Sequence, residues 1–467
     1  MGYRLPMPWC LSAALLAGTP VWAQPPVTDR LAETVVDGGE SIPVIEVPRG
    51  WIPQAPLQRT MLWWHMGLRA TSQFIGNASG GQQQFINLAT ELDLTSSLGT
   101  GLGRNKPRNE LDRWSLNTHL TAYVSSGNFD QQLGFLNQTF KPQSVFQAPP
   151  GIWMQGLWFE RVGTAGELLQ SLKFGDLTVD PTFFKPPVGN LYISNVFNGH
   201  SGIESAAFPY GPLNALGAIA SFRLGSSQFD LGAFQLNNQR SNPNLQGFNQ
   251  SVGPQDGVLQ VLQWQHSLTS AQHAPGCIPD NPLSNSGGEP RFRTRTGCEK
   301  IYLLQNQLPD PMVRLGAYSG SWSFASVNGP SLNGMAPSPA LSSGTRNNGA
   351  YGYLAVPLGT RLRGWLNGSA GFMPEVNPFP GFLAGGLVQQ GLIPSRPQDL
   401  LVLGIAKAWS SPSLNPSHLD QNWIELSYQL QLSRRLSLQP FSQLVLNPGG
   451  ADAAEVVTFG IQFDWSF

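Results

Sequence analysis

Three observations predict an all-β protein, a transmembrane antiparallel β-barrel of about sixteen strands. The last strand places apolar side chains on one face and polar or small ones on the other; the apolar ones are Val457, Phe459, Ile461, Phe463, Trp465 and Phe467. Similar alternation recurs along the chain, and the chain begins with an export signal. Alternation alone also fits the inner face of a sandwich. Together, the observations favour a closed barrel in the outer membrane of a Gram-negative bacterium, since lipid requires every spanning backbone group to be paired.

The first 23 residues predict a secretory signal peptide. Arg4 precedes an apolar stretch at residues 11–17, and Val21-Trp22-Ala23 provides a small-residue cleavage site. A retained membrane anchor is the alternative, but the apolar stretch is too short to span and is interrupted by Gly18 and Pro20.

Cleavage after Ala23 would leave 444 residues, 467 minus 23. That length suffices for sixteen strands of about ten residues each. Residues 24–60 are rich in proline, and we expect an irregular periplasmic arm there. Residues 61–467 are predicted to form the barrel.

The composition agrees with a membrane barrel and excludes other classes. Charged residues make up only 12% of the chain, and the 52 glycines and 39 prolines suit many turns. No apolar run after the signal is long enough for a membrane helix, and the mean hydropathy is −0.14. A net charge of −1 argues against a nucleic-acid partner.

Two cysteines remain once the signal peptide is removed, Cys277 and Cys298. An even pair in an oxidising compartment predicts a disulfide that closes a loop. Zinc is the alternative, but two cysteines with His273 nearby give too few ligands. We expect neither a metal nor another cofactor.

Fifteen strands are predicted from alternation, with long and short connections between them. A sixteenth is expected near residues 300–305, because both chain ends should lie in the periplasm. Short connections at 359–360 and 433–435 are assigned to the periplasm, and long ones at 267–312 and 325–349 to the outside. Arg291, Arg293 and Arg295 in a long loop could bind lipopolysaccharide phosphate or could simply be solvated. The predicted strands cover 63–75, 85–95, 113–124, 153–160, 168–177, 215–224, 229–237, 258–266, 313–324, 351–357, 362–372, 401–408, 423–432, 436–446 and 456–467.

Charged residues within the strands are candidates to line the interior, because a charge facing lipid costs up to about 2 to 4 kcal/mol at mid-depth. Each could instead pair with a neighbour and brace the wall. The parity of the strands turns the following charges inward: Arg69, Glu91, Asp93, Arg223, Arg314, Arg361, Arg363 and Glu425.

Seven tryptophans lie in or next to the predicted strands, and most are expected in the girdles at the two membrane interfaces. Trp322 and Trp365 share parity with an inward arginine, and these two are candidate pore-lining platforms. The others are Trp153, Trp158, Trp264, Trp409 and Trp423.

Four stretches in order resemble the carbohydrate-selective porin family. The strongest is WIELSYQLQLSRRLSLQPFSQLVLNPGG at residues 423–450. The others lie at 157–183, which ends in KFGDLTVDPTF, at 208–211 and at 391–399. KFGDLTVDPTF departs from the family's usual glycine-lysine start, and the loop with Cys277 and Cys298 looks like an insertion.

The resemblance implies a sixteen-stranded barrel with a narrow charged eyelet for passive diffusion of small neutral sugars. A general or ion-selective porin and a surface receptor barrel are the alternatives. An enzyme is disfavoured, because the chain has no GxSxG or HExxH motif. Expected partners are outer-membrane lipid, lipopolysaccharide and the barrel assembly machinery, through Phe467. The barrel is expected to be a homotrimer or a monomer.

Overall fold

The structure is a computed structural model that describes part of the chain. It covers residues 62–466 apart from 82, 101–112, 128–141, 144–149, 164–166, 181, 199–207, 212, 238–245, 249–250, 255, 269–307, 326–341, 414–418, 434 and 451–453. All described residues belong to one compact unit, residues 42–467. The predicted signal peptide, the arm, Cys277, Cys298 and Phe467 lie outside the described residues, and the predictions about them stay predictions.

Sixteen antiparallel strands form a closed barrel in which each strand pairs with its neighbours in sequence and β1 pairs with β16. The predicted fold class is therefore confirmed. The strands are β1 (Leu62–Ser79), β2 (Ile86–Thr100), β3 (Trp114–Ser125), β4 (Gly151–Val162), β5 (Leu169–Leu177), β6 (Ala215–Leu224), β7 (Ser227–Leu236), β8 (Gly257–Ser267), β9 (Met312–Ala325), β10 (Ser342–Pro357), β11 (Leu362–Gly371), β12 (Gly381–Gln390), β13 (Leu400–Trp409), β14 (Gln421–Gln431), β15 (Leu436–Leu446) and β16 (Val456–Ser466).

The alternation of side chains separates an apolar outer face from a polar inner face. On β16, Phe459, Phe463 and Trp465 are about half exposed, while Thr458 is fully buried. This is the pattern expected of a wall with lipid outside and polar groups inside. Among the residues that the structure describes, no helix is both long and apolar enough to cross a membrane.

The missing strand is β12, and it does not come from residues 300–305, which lie outside the described residues. The inner face of its sequence, GFLAGGLVQQ, is apolar up to Gln390 at the end of the strand, because Phe382, Ala384 and Val388 point inward and are buried. Glycines at 381 and 385 also remove large side chains from the outer face. The period of two is therefore hidden in the sequence.

The long connection between β8 and β9 begins and ends beside a tight turn, which corrects the assignment of residues 267–312. The Ser267 N–H bonds to the Ser226 carbonyl at 3.0 Å, in the turn between β6 and β7. The Leu268 N–H bonds to the Pro311 carbonyl at 2.9 Å. In an antiparallel barrel the connections alternate between the two ends, so this one belongs to the end of the short turns. We call that end the turn end.

Candidate functional site

A stretch of chain after β5 enters the barrel and packs against the inside of its wall. We call residues 178–198, without 181, the inserted segment. It contains a short 3-10 helix, Gly189–Leu191, and one turn of α-helix, α1 (Asn195–Asn198). Its apolar residues are buried; they include Val179, Phe183, Phe184, Val188, Tyr192, Ile193, Val196 and Phe197. A run this apolar would be unfavourable in water, and packing it inside the barrel removes it from solvent.

Aromatic packing joins the segment to the wall in two places. The Phe184 ring meets the Tyr351 ring of β10 at a centroid distance of 4.9 Å. The Tyr192 ring lies 5.4 Å from the Trp365 ring of β11. Both pairs are edge-to-face, the arrangement that aromatic quadrupoles favour.

Wall side chains also hold the backbone of the segment by hydrogen bonds. Glu425 on β14 accepts the Ile193 N–H at 2.7 Å and the Ser194 N–H at 2.8 Å. Arg314 on β9 donates to the Lys185 carbonyl at 2.7 Å, and Gln439 on β15 donates to the Leu191 carbonyl at 2.7 Å. These contacts supply partners for backbone groups that the barrel removes from water.

Tyr192 completes this attachment. Its hydroxyl donates to the Leu403 carbonyl at 2.8 Å and accepts the Trp365 indole N–H at 2.9 Å. Burial raises the pKa of Tyr192 well above its ordinary value, so the phenol stays protonated and can donate. A Cβ atom at Gly404 would lie only 2.6 Å from the Tyr192 ring, so glycine leaves the room that the ring occupies.

The opposite side of the lumen is polar and is formed by β16, β1, β2, β3 and one residue of β4. Arg69 on β1 forms an ion pair with Asp464 on β16 at 2.6 Å. Asp93 on β2 accepts a hydrogen bond from Thr121 at 2.6 Å and lies 2.9 Å from His119 Nε2. This wall presents charged groups and hydrogen-bonding groups to the lumen.

Gln155 enters this polar wall through an irregularity in strand pairing. His119 pairs with Gly156 and Leu120 with Met154, so Gln155 is the extra residue of a β-bulge. Its amide donates to Thr121 at 2.6 Å. The bulge thus adds a hydrogen-bonding group beside Asp93.

Lys185 and Asp180 face this wall from the inserted segment. Lys185 lies within electrostatic range of Arg69, Glu91 and Asp93. Burial lowers the pKa of Lys185, and the attraction of the Asp180 carboxylate acts in the opposite direction. Charged groups of the segment and of the polar wall therefore lie near one another, and we call the region between them the gap.

The predicted pore residues divide into three groups in the structure. Arg69, Glu91 and Asp93 come together at the gap. Arg314, Trp365 and Glu425 point inward but contact the inserted segment, and Trp365 is only 3% exposed. Trp322 also points inward and lies among buried aromatic residues, 5.8 Å from the Phe324 ring.

Three predicted arginines lie near the turn end, and none of them is among the charged groups that act on Glu91. Arg223 is the next-to-last residue of β6, at the turn end, and its side chain points inward within electrostatic range of Asp230. Arg363 donates to the Gly359 carbonyl at 3.0 Å in the turn before β11. Arg361 lies in that turn and is exposed, so it occupies no strand position. Of the tryptophans expected in the girdles, Trp153 and Trp423 are instead inward and 1% exposed.

Sequence reasoning missed the part of the site that comes from the segment. Lys185 and Asp180 lie outside any strand, so alternation could not assign them a face. The available signal was the unusual apolar content of residues 183–197, which an exposed loop would not carry. Asp464 and His119 had the correct parity but were not selected as site residues.

A closed sixteen-stranded barrel with a charged interior and a segment folded into its lumen defines the porin class of outer-membrane channel. The family model of the carbohydrate-selective porins, OprB family, matches residues 143–467, which is more than half of the chain. The chain therefore belongs to the OprB family of carbohydrate-selective porins. The family and the fold are those of a channel and not of an enzyme.

A solved structure agrees with the fold, and two others show weaker similarity. The high-pH structure of Pseudomonas putida OprB has a TM-score of 0.66 and 17% identity, and the match covers 86% of this chain and 94% of that one. Its low-pH structure has a TM-score of 0.43, 14% identity and coverages of 86% and 92%. The outer membrane channel DcaP of Acinetobacter baumannii has a TM-score of 0.45, 8% identity and coverages of 87% and 97%. No curated protein sequence matches the chain.

Proposed function

We propose that the barrel allows passive diffusion of small neutral sugars across the outer membrane through the gap. The observation that carries this proposal is the position of the inserted segment. Wall side chains hold it to one side of the lumen, and the polar side chains of β16, β1, β2 and β3 face it. Family membership supports carbohydrates as the solutes.

The groups around the gap fit the chemistry of sugar hydroxyls. Carboxylates such as Glu91 accept hydrogen bonds, while Arg69 and Lys185 donate them. A hydroxyl does both, so a sugar could exchange its hydration water for these groups as it passes. Conduction requires this exchange to be nearly balanced, so that the solute also leaves.

Trp322 and Trp365 are not used as sugar platforms in this proposal. Both rings are largely covered, Trp322 by neighbouring aromatic residues and Trp365 by Tyr192 and Phe197. We assign the hydrogen-bonding groups of the gap, and not aromatic stacking, to solute contact.

Single-channel current in a planar bilayer tests the proposal. Glucose, a disaccharide and a charged solute of similar size would be titrated into the same channel. Saturable block by glucose is expected, and Arg69→Gln should weaken it, because the glutamine amide has two N–H donors where the charged guanidinium has five. The control is Asp420→Asn, a partly exposed residue just before β14 that pairs with Lys407, and it should leave the block unchanged.

Two other results would decide against the proposal. Open channels without sugar block would indicate a general or ion-selective porin. Protein that inserts but gives no conductance steps would indicate a receptor barrel with a closed lumen.

A further inference from the structure

The charges around the gap are unequal in sign, although the net charge of the whole chain is only −1. Among the described residues, Glu91 lies within electrostatic range of Asp93 and Asp464, and Asp180 joins Glu91 and Asp93 in acting on Tyr123 and Lys185, which makes four carboxylates around the gap. Two basic side chains, Arg69 and Lys185, lie with them. Two positive and four negative charges leave an excess of two negative charges.

The pairing of these groups concentrates the excess on β2. Arg69 and Asp464 neutralise each other in their ion pair. Lys185 faces Asp180 along the inserted segment. Glu91 and Asp93 remain, and they project from the same strand toward the lumen.

Glu91 is the carboxylate that is available to a passing solute. Asp93 is engaged by Thr121 and His119, and Asp464 is engaged by Arg69, Thr71 and Gln462. Glu91 has no hydrogen bond or ion pair among the described residues. Its carboxyl group is therefore not held by the wall and faces the contents of the gap.

We propose that the gap selects solutes by charge, and that it admits protonated amino sugars and neutral sugars in preference to uronic acids and sugar phosphates. This inference rests on the proposed channel function. The selectivity belongs to the field of the whole gap and requires no bound ion. A narrow lumen between low-dielectric walls strengthens such a field, because the walls focus it on the passage.

The size of the effect follows from Coulomb's law. One unit charge about 6 Å from a monovalent solute in water-like surroundings changes the local concentration of that solute about threefold. The same charge raises the concentration of a cation about threefold and lowers that of an anion by the same factor, so removing Glu91 should reduce the ratio of cation to anion permeability about tenfold. Removing Lys185 should increase it by a similar factor.

The reversal potential of the intact protein in a planar bilayer tests the ionic part, with a tenfold KCl gradient across the membrane. We expect a reversal potential that favours K⁺ over Cl⁻, a smaller one in Glu91→Gln and a larger one in Lys185→Gln. Asp420→Asn removes a partly exposed carboxylate that pairs with Lys407 outside the gap, and it should leave the potential unchanged. Preference for Cl⁻, or equal shifts in Glu91→Gln and Asp420→Asn, would overturn the inference.

Uptake into proteoliposomes tests the sugars and separates the two proposals. Glucose, glucosamine and glucuronate would be compared at equal ionic strength, with the rates divided by the rate of glucose. Faster entry of glucosamine than of glucuronate, with the difference reduced in Glu91→Gln, is expected. Equal rates for the two charged sugars would refute the charge preference even if glucose enters. Failure of glucose to enter would refute the proposed function, while the KCl measurement would still decide the sign of the field.

Discussion

Glu425 is the residue whose substitution should most clearly loosen the inserted segment. It is fully buried, and its two oxygens accept two successive backbone N–H groups, from Ile193 and Ser194. Glutamine keeps the size of the side chain but has a single acceptor oxygen. In Glu425→Gln the new amide nitrogen must therefore face one of the two N–H donors.

The expected cost comes from that one contact. A hydrogen bond to a charged group contributes about 1.5 to 3 kcal/mol, and an unsatisfied buried donor adds about 1 to 3 kcal/mol. Partial relaxation brings a combined figure of about 3 kcal/mol, which is roughly a hundredfold increase in the population of the released segment. Glu425→Ala, which removes both acceptors, should have a larger effect.

Single-channel recording is the assay, because a released segment changes the cross-section of the lumen. Glu425→Gln should show a higher mean conductance and more frequent transitions between current levels than the unmodified protein. Asp420→Asn makes the same chemical change at the opposite end of the barrel from the turn end and serves as the matched control. Identical conductance and noise in Glu425→Gln and the control would refute the idea that Glu425 fixes the segment.

Three further substitutions test separate contacts. Trp365→Phe removes the hydrogen bond to Tyr192 and should lower the free energy of unfolding by about 1 kcal/mol in a urea titration; no change would mean that packing alone holds the ring. Gly404→Ala places a Cβ atom 2.6 Å from the Tyr192 ring, should cost about 1 to 3 kcal/mol by overpacking and should lower the conductance, whereas Gly352→Ala on the outer face should do neither. Burial alone would raise the pKa of Asp399, but the hydrogen bonds that its carboxylate accepts lower it below its ordinary value. The carboxylate therefore stabilises the fold fully above the pKa of the unfolded chain, which is about 4. This contribution disappears as the pH falls through the lower pKa of the folded state. Asp399→Asn should therefore have a lower melting temperature than the unmodified protein at pH 7. A difference in melting temperature that persists unchanged well below pH 4 would contradict this assignment.

The architecture could be predicted from sequence where one face of a strand meets lipid and the other meets polar groups. The terminal strand is the clearest example, because Phe459 and Phe463 face outward while Thr458 and Gln462 face inward. The prediction failed at β12, because the inner face of that strand packs on the inserted segment and is itself apolar. Because the inserted segment is distant from β12 in sequence, the sequence of β12 alone could not explain the loss of apolar-polar alternation.

The site was predictable only where it is built from strands. Arg69, Glu91 and Asp93 were selected because alternation turned them inward, and the structure brings them together. Alternation could not distinguish an inward charge at the gap from one that binds the segment, as Glu425 does. Both kinds of residue face the lumen, and they can be distinguished only once the position of the inserted segment is known.

A pair of adjacent cysteine substitutions tests most directly whether solutes pass through the gap. Glu91→Cys places a thiol in the gap, whereas Leu92→Cys places one on the outer face of the same strand, where Leu92 is 40% exposed. Each variant would be treated with a neutral, sugar-sized thiol reagent during single-channel recording, and the unmodified chain would control for Cys277 and Cys298. The account predicts a stepwise loss of current in Glu91→Cys alone. Complete labelling of Glu91→Cys with unchanged current would show that the conducting path lies elsewhere.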